Sequence, residues 1–516
     1  MTDTRHEERY ELRHHSRHEK ADPATLWERG IYWGLVGLLF WAPLPFGGIR
    51  GWSVAVMVIW VAVLGALWAA GWLAGKCTVG SSFYRGRFAL GVLALWALLI
   101  TLQAMPLPAG LVNLLSPGAA AVHAEQGLYS HPDAGGVMRS VTLSIDAAAT
   151  QRLQLLTLAL TGYFALLLLV IKRTSRLRQF TLMLVTSGIL YSAAALYLHF
   201  TGATYMLFHE EVMHEMAKGP FLNRNHFGTF IEICLACGVG LIVADFAPTQ
   251  LTTRSQRVRW ALGLLLSAKA RMRLLLIVMV IALILTRSRM GNVAFFTALI
   301  AGGFVALLFL HAGWKSILVF LASMLILDAA IIGSWIGVDQ VIKRVQQTAL
   351  TDEAKQVGAM TDESVETRTN QALSALPSVR RFPLFGTGAG SFMAMYPQYK
   401  PVDYPFTLSH AHNDFIHFLV ETGVLGAALL FTLMAHAYLA VLRTLRSSKH
   451  QVRRGLALGA FIGMLSAMIH ATVEFAFQIS AVALAFTALV AIAVLAQDRF
   501  REAPAALPSP TAPPTP

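Results

Sequence analysis

The sequence predicts an all-α polytopic membrane protein with about twelve transmembrane helices and a long extracytoplasmic loop between the ninth and tenth. Three observations carry that expectation. Of the 516 residues 56% are hydrophobic and 13% charged, where a soluble domain has about 25% charged residues. The apolar residues gather in runs of about 20, the length of a helix that crosses a bilayer. The basic residues behind a formal charge of +13 lie mainly in short gaps between those runs, which points to topology and anionic headgroups and away from nucleic acid.

Met1–Asp22 is rich in His, Arg and Glu and lacks an apolar core, so residues 1–30 read as a disordered cytoplasmic tail. Its histidines His6, His14, His15 and His18 read as solvated. Nine spans are expected within 31–337, at Ile31–Phe46, Trp52–Leu73, Phe88–Met105, Leu153–Ile171, Phe180–Phe200, Phe227–Ala244, Leu274–Leu285, Val293–Leu310 and Ile317–Ile336. After a periplasmic loop region at 338–413, three more follow within 414–497, at Phe415–Val441, Leu456–Thr472 and Phe477–Ala496. Residues 498–516, Ala- and Pro-rich from Ala503, read as a second disordered cytoplasmic tail.

Lys and Arg cluster in alternate short loops: Lys76, Arg85 and Arg87; Lys172, Arg173, Arg176 and Arg178; Arg254 through Arg273; Arg443 through Arg454. The positive-inside bias makes those loops cytoplasmic. Pro106–Arg152, Thr201–Asn225 and Val338–Asn413 then fall outside, and the last carries seven acids balanced by seven bases. Cys77, Cys234 and Cys237 give no disulfide framework, and the last two read as small packing residues in an apolar helix. No repeat of 20–50 residues is visible, which disfavours a transporter built from two similar halves.

Ionisable residues concentrate where the third outer segment meets the tenth span. His410 and His412 precede Asp414, His417 and Glu421, which at i, i+3 and i+7 share one helix face. A neutral imidazole at a membrane surface exchanges a proton near pH 7, and ionisable groups at a membrane boundary mark a functional site by default. Arg287 and Arg289 break the charge pattern by lying in an outer turn. They read either as snorkelling to headgroups or as forks for phosphate oxygens. By charge alone Arg368, Arg380 and Arg381 are equal candidates for an anion, with simple solvation as the alternative.

Ala372–Leu376 reads as a short amphipathic helix after Arg368, and Gly386, Gly388 and Gly390 as sharp turns. Asn223, Arg224 and Asn225 open the sixth span, where asparagines either cap the helix or hydrogen-bond sugar hydroxyls. His470 and Glu474, at i, i+4, can pair on one helix face or wall a site. Glu232 and Asp328 are isolated within spans and take no role. No cluster has metal-ligand spacing, and His410 with His412 alone are too little for a site.

In order along the chain, Asn223-Arg224-Asn225-His226-Phe227, Ser288-Arg289-Met290-Gly291, Arg368 through Pro383-Leu384-Phe385-Gly386-Thr387-Gly388, and His412-Asn413-Asp414 through Glu421-Thr422-Gly423 resemble the O-antigen ligase and polymerase superfamily of bacterial membrane glycosyltransferases. The resemblance runs over roughly Gly219–Gln497, with His470 and Glu474 as a weaker fifth element where relatives often have an aspartate. It implies a glycan donor on undecaprenyl pyrophosphate, held by Arg289 and Arg368, and His412 as general base with Asp414 orienting it or the acceptor. Arg368 lies fifteen residues before Pro383, a family-like spacing that raises it above Arg380 and Arg381. Ala372 departs from the tryptophan common in relatives.

The expected function is metal-independent, inverting transfer of the glycan to lipid A–core at the periplasmic face of a bacterial inner membrane, with no cofactor. Asn223, Arg224, Asn225, Glu421, His470 and Glu474 are the further substrate-binding candidates. A polymerase or protein O-oligosaccharyltransferase of the same superfamily shares these residues. A lipid-linked glycan flippase or transporter is the alternative from another class, and the clustering of Arg289, Arg368 and His412 at one face disfavours it.

Overall fold

The computed structural model describes residues 25–126, 140–203, 216–245, 268–309, 322, 365–401 and 407–497. It is a helical, multi-pass membrane protein. The apolar helices in chain order are α1 (Leu26–Trp41), α2 (Gly51–Leu73) and α3 (Ser81–Ala104). Two short helices follow, α4 (Ala109–Leu115) and α5 (Pro117–Glu125), then α6 (Ala147–Val170), α7 (Thr174–Thr201), α8 (Arg224–Ala244), α9 (Ala268–Leu285) and α10 (Arg289–Phe309). Short helices α11 (Val365–Ser374), α12 (Pro377–Arg381) and α13 (Phe392–Met395) precede α14 (Asp414–Ser447), α15 (Gln451–His470) and α16 (Ser480–Ala496). A two-residue strand at Leu107–Pro108 pairs antiparallel with Ser140–Val141.

Among the described residues eight helices (α2, α3, α6, α7, α8, α10, α14 and α15) are long and apolar enough to cross a membrane, fewer than the twelve spans expected. The apolar helices α1 and α16 have 16 and 17 residues, and α9 starts with Lys269, Arg271 and Arg273. The expected span Ile317–Ile336 (residue 322 apart), the loop through 364, Asp328 and both tails beyond 25–497 lie outside the described residues. The first helix starts earlier than expected, at Leu26, because Thr25 caps it by accepting from Glu28 N–H at 3.2 Å. It ends before Pro43 and Pro45, which cannot continue a helix.

The centre of the bundle is α8, buried from Asn225 to Ala244, as a helix apolar on all sides must be. Its main partner is α15. Gly455, Gly459 and Gly463 recur every four residues on α15, and a Cβ at Gly459 would sit 2.7 Å from Ala236 O and 2.9 Å from Gly240 Cα. Small residues at this spacing let helix backbones approach closely. The two helices run antiparallel, so the head of α8 meets the tail of α15. That register brings Asn225, His226 and Glu232 beside Ser466, His470 and Glu474.

Segment 383–391 is clamped at the same end. Gln103, at the end of α3, donates to Phe385 O at 2.5 Å and Glu421 O at 2.9 Å and accepts from Ala389 N–H at 3.1 Å. Gly386 N–H reaches Phe382 O, while Thr387 N–H and Gly388 N–H bond Val420 O and Glu421 O at 2.9 Å. Gly423 interrupts α14 with φ +63°, and a Cβ there would fall 2.3 Å from Leu384 O. Only glycine fits that crossing.

Candidate active site

Asn413 starts α14 by accepting from Ile416 N–H at 3.0 Å and donating to Thr472 O at 2.8 Å. Asp414 N–H bonds Ala471 O at 2.9 Å. These bonds pin the loop before α14 to the turn after α15 and hold His412 at φ +50°, a left-handed conformation that costs about 1–2 kcal/mol for an L-residue.

The groups of the site meet at Glu474, which is fully buried. Its Oε2 accepts from Asn225 Nδ2 at 2.5 Å and Arg368 Nη1 at 2.9 Å. Its Oε1 accepts from Phe475 N–H at 3.2 Å and lies 3.4 Å from His412 Nδ1 and 3.7 Å from His226 Nε2. The last two contacts lack hydrogen-bond geometry. Burial alone would raise the Glu474 pKa, but the two imidazoles and the Arg368 charge outweigh it and hold the carboxyl well below the usual carboxylate range. The group is therefore an anion at neutral pH. Arg368 also donates to Val473 O at 3.2 Å.

An aromatic column braces this centre. Tyr396 stacks on Phe392, Phe392 on His417, His417 on His410, and His410 on Phe475, with centroid spacings of 5.3, 5.0, 5.4 and 4.2 Å. His412 and His226 meet Phe475 edge-on at 4.9 and 4.6 Å. Burial, reinforced by the neighbouring imidazoles, lowers the His410 pKa and keeps that ring neutral. His417 Nδ1 accepts from Ala411 N–H at 3.3 Å, so its other nitrogen carries the proton toward Glu421 Oε1, 3.3 Å away. Glu421 Oε1 also accepts from Phe392 N–H at 3.0 Å. Glu421 thus secures the column and its own stretch of α14.

Several sequence expectations change here. His470 and Glu474 do not pair: α15 ends at His470, and the turn at Ala471–Thr472 takes Glu474 off the helix. His470 Nδ1 instead lies 2.8 Å from Glu232 Oε1 and 2.9 Å from Thr229 Oγ1. Glu232, which reads as isolated in the sequence, also accepts from Ser466 Oγ at 2.6 Å. The carboxylate at His412 is that of Glu474, whereas Asp414 Oδ2 accepts from Phe477 N–H at 3.0 Å. Helix α11 begins before Arg368 and contains it, where the sequence pattern suggests a helix only from Ala372.

Asn223 caps α8 by accepting from Asn225 N–H at 2.8 Å, and Arg224 contacts Met216 Sδ. Arg381 pairs with Glu125 at 3.2 Å, and Arg380 is exposed, so Arg368 is the one of the three that reaches the Glu474 centre. Arg289 is not among the groups bonded to Glu474. It is exposed at the head of α10, whose Gly291 abuts Glu232 and His470. Among the described residues no group of three or more His, Cys, Asp or Glu could hold a metal ion.

Beside Asp414 lies a cavity of about 280 Å³. It is lined mainly by apolar side chains of α3, α6, α14, α15 and α16, among them Trp96, Leu156, Phe418 and Phe486, with Asp414, Glu421, Gln478 and four threonines as polar residues. The sequence names His226 only within the Asn223–Phe227 segment, with no role, and does not point to Phe475; the antiparallel meeting of α8 with the end of α15 brings both to the site. The four-residue glycine spacing of α15 is the signal that predicts such a meeting.

Residues 274–431 match the family model described as O-Antigen ligase. That stretch contains Arg289, Arg368, His412, Asp414 and Glu421, while Asn225, His226 and Glu474 lie outside it. No curated protein matches the chain.

Proposed function

We propose that this chain, whose residues 274–431 match the O-antigen ligase family model, is a glycosyltransferase of that superfamily and moves a glycan from an undecaprenyl-pyrophosphate carrier to lipid A–core at the periplasmic face of a bacterial inner membrane. The observation that carries the reading is the convergence of His412, Arg368 and Asn225 on the buried Glu474 carboxylate. The apolar cavity beside Asp414 suits the hydrocarbon part of a lipid-bound substrate.

In this reading the acceptor hydroxyl gives its proton to His412 Nε2 as its oxygen bonds the anomeric carbon. The bond from that carbon to the pyrophosphate breaks, and the electron pair leaves with the phosphate oxygen. Attack opposite the leaving group inverts the anomeric centre. His412 Nδ1–H faces Glu474, whose negative charge stabilises the imidazolium, the logic of a base held by a buried carboxylate. Arg289, exposed at the head of α10, and the positive charge of Arg368 oppose the charge growing on the pyrophosphate.

The test is purified protein in proteoliposomes containing the lipid-linked donor and lipid A–core, with a chelator present. Glycan on lipid A–core is the expected product. Longer lipid-linked glycan instead would establish polymerisation, and donor carried across the bilayer without any new bond would overturn the enzymatic reading.

A further inference from the structure

His226 has no part in the reaction just described, yet its surroundings give it one. It is 4% exposed in the first turn of α8, and its Nε2 has no hydrogen-bond partner among the described residues. That nitrogen lies 3.7 Å from Glu474 Oε1. The same oxygen is 3.4 Å from His412 Nδ1, which also lacks a hydrogen-bond partner. Two imidazoles from distant parts of the chain therefore address one carboxylate oxygen, and both rest edge-on against Phe475.

We propose, resting on the transfer reading, that His226 is a positioning residue that acts through Glu474 on the proton transfer at His412. A carboxylate oxygen offers about two lone-pair sites. Phe475 N–H occupies one on Oε1 at 3.2 Å, so the two imidazoles face the other. Neither is within the range of about 2.7–3.2 Å of a full N–H···O bond. The arrangement is poised: His226 holds Oε1 centred between the rings while His412 is neutral. When His412 takes the acceptor proton, its contact with Oε1 closes into a charge-assisted bond and the His226 contact lengthens. Catalytic hydrogen bonds commonly tighten in this way only as the reaction proceeds.

Asn225 and Arg368 fix Oε2 and leave the rotation of the carboxylate to be set on the Oε1 side. Terminal carboxylate torsions are broad, so removal of His226 leaves Phe475 N–H at 3.2 Å to hold Oε1 and lets that oxygen drift from the His412 line. A misplacement of about 1 Å costs on the order of 100-fold in rate.

The experiment measures transfer by full-length protein from the lipid-linked donor to lipid A–core. Wild type is compared with His226→Phe, His226→Leu, His226→Gln, Glu474→Gln and His226→Phe with Glu474→Gln. Two variants remove the N–H, so a folding failure in one leaves the other to decide. Loss of N–H is expected to lower kcat by roughly 10-fold to 100-fold at unchanged donor KM. His226→Gln, which keeps an N–H donor, should recover most of that loss, and His226→Phe should add nothing to Glu474→Gln. Wild-type kcat in the Phe and Leu variants, no rescue by Gln, or additive losses in the double variant would overturn the inference alone. An inactive wild type would overturn it together with the transfer reading.

Discussion

Replacing Glu474 by Gln keeps the shape of the side chain and removes the charge on which the site is organised. The structure offers the amide no good orientation. With its NH2 at the Oε2 position it meets the donors of Asn225 and Arg368, and at the Oε1 position it meets Phe475 N–H and two imidazoles. Arg368 also loses the carboxylate at 2.9 Å. Breaking a buried ion pair by removing one member costs about 3–5 kcal/mol, so thermal unfolding of the detergent-purified variant should begin well below that of wild type. His412 loses the anion that would stabilise its imidazolium, and kcat should fall by about 10²–10⁴-fold, the range typical of general acid–base catalysis. Thermal unfolding and transfer kinetics on the same preparation read both effects. Unchanged melting with unchanged kcat would refute the central place given to Glu474.

Other consequences are testable on stability alone. Gly423→Ala places a Cβ 2.3 Å from Leu384 O at φ +63°, and should destabilise by at least about 1–2 kcal/mol, seen as a lowered melting temperature. Glu232→Leu leaves the buried His470 with only Thr229 of its two polar contacts at Nδ1, so Glu232→Leu with His470→Leu should melt higher than Glu232→Leu alone; a lower melt for the double variant would contradict the coupling of the two side chains. The Glu474 pKa is depressed in the folded state, so its contribution is complete above its unfolded value of 4.5 and is lost as pH falls below that value. Wild type should lose melting temperature on acidification through this window more steeply than Glu474→Gln, and parallel curves would contradict the assignment.

The membrane class was legible because bilayer solvation leaves a strong mark: long apolar runs with basic gaps. The element from His412 to Gly423 was legible too, since Asp414, His417 and Glu421 all turn inward on α14. Glu474 was visible as an acid, but its partners were not. Its spacing from His470 suggests a helical pair, and nothing local announces that α15 stops at His470. The pairing of Glu232 with His470 and the meeting of Asn225, His226 and Arg368 at one carboxylate are long-range events. They depend on the close packing of α8 on α15, which glycines at 455, 459 and 463 permit. The column from Tyr396 to Phe475 likewise joins three stretches of chain that no periodicity links. Arg368 stood level with Arg380 and Arg381 on charge alone. Geometry separates them, since Arg381 is paired with Glu125 and Arg368 with Glu474.

In the proposed reaction His412, 3.4 Å from Glu474, takes the acceptor proton during glycosyl transfer. The most direct test is the transfer rate of wild type and His412→Ala, purified side by side, at saturating undecaprenyl-pyrophosphate-linked donor and lipid A–core. Product is expected from wild type and a loss of at least about 100-fold in His412→Ala, with the folded state and donor binding intact. Transfer by His412→Ala at the wild-type rate would contradict it.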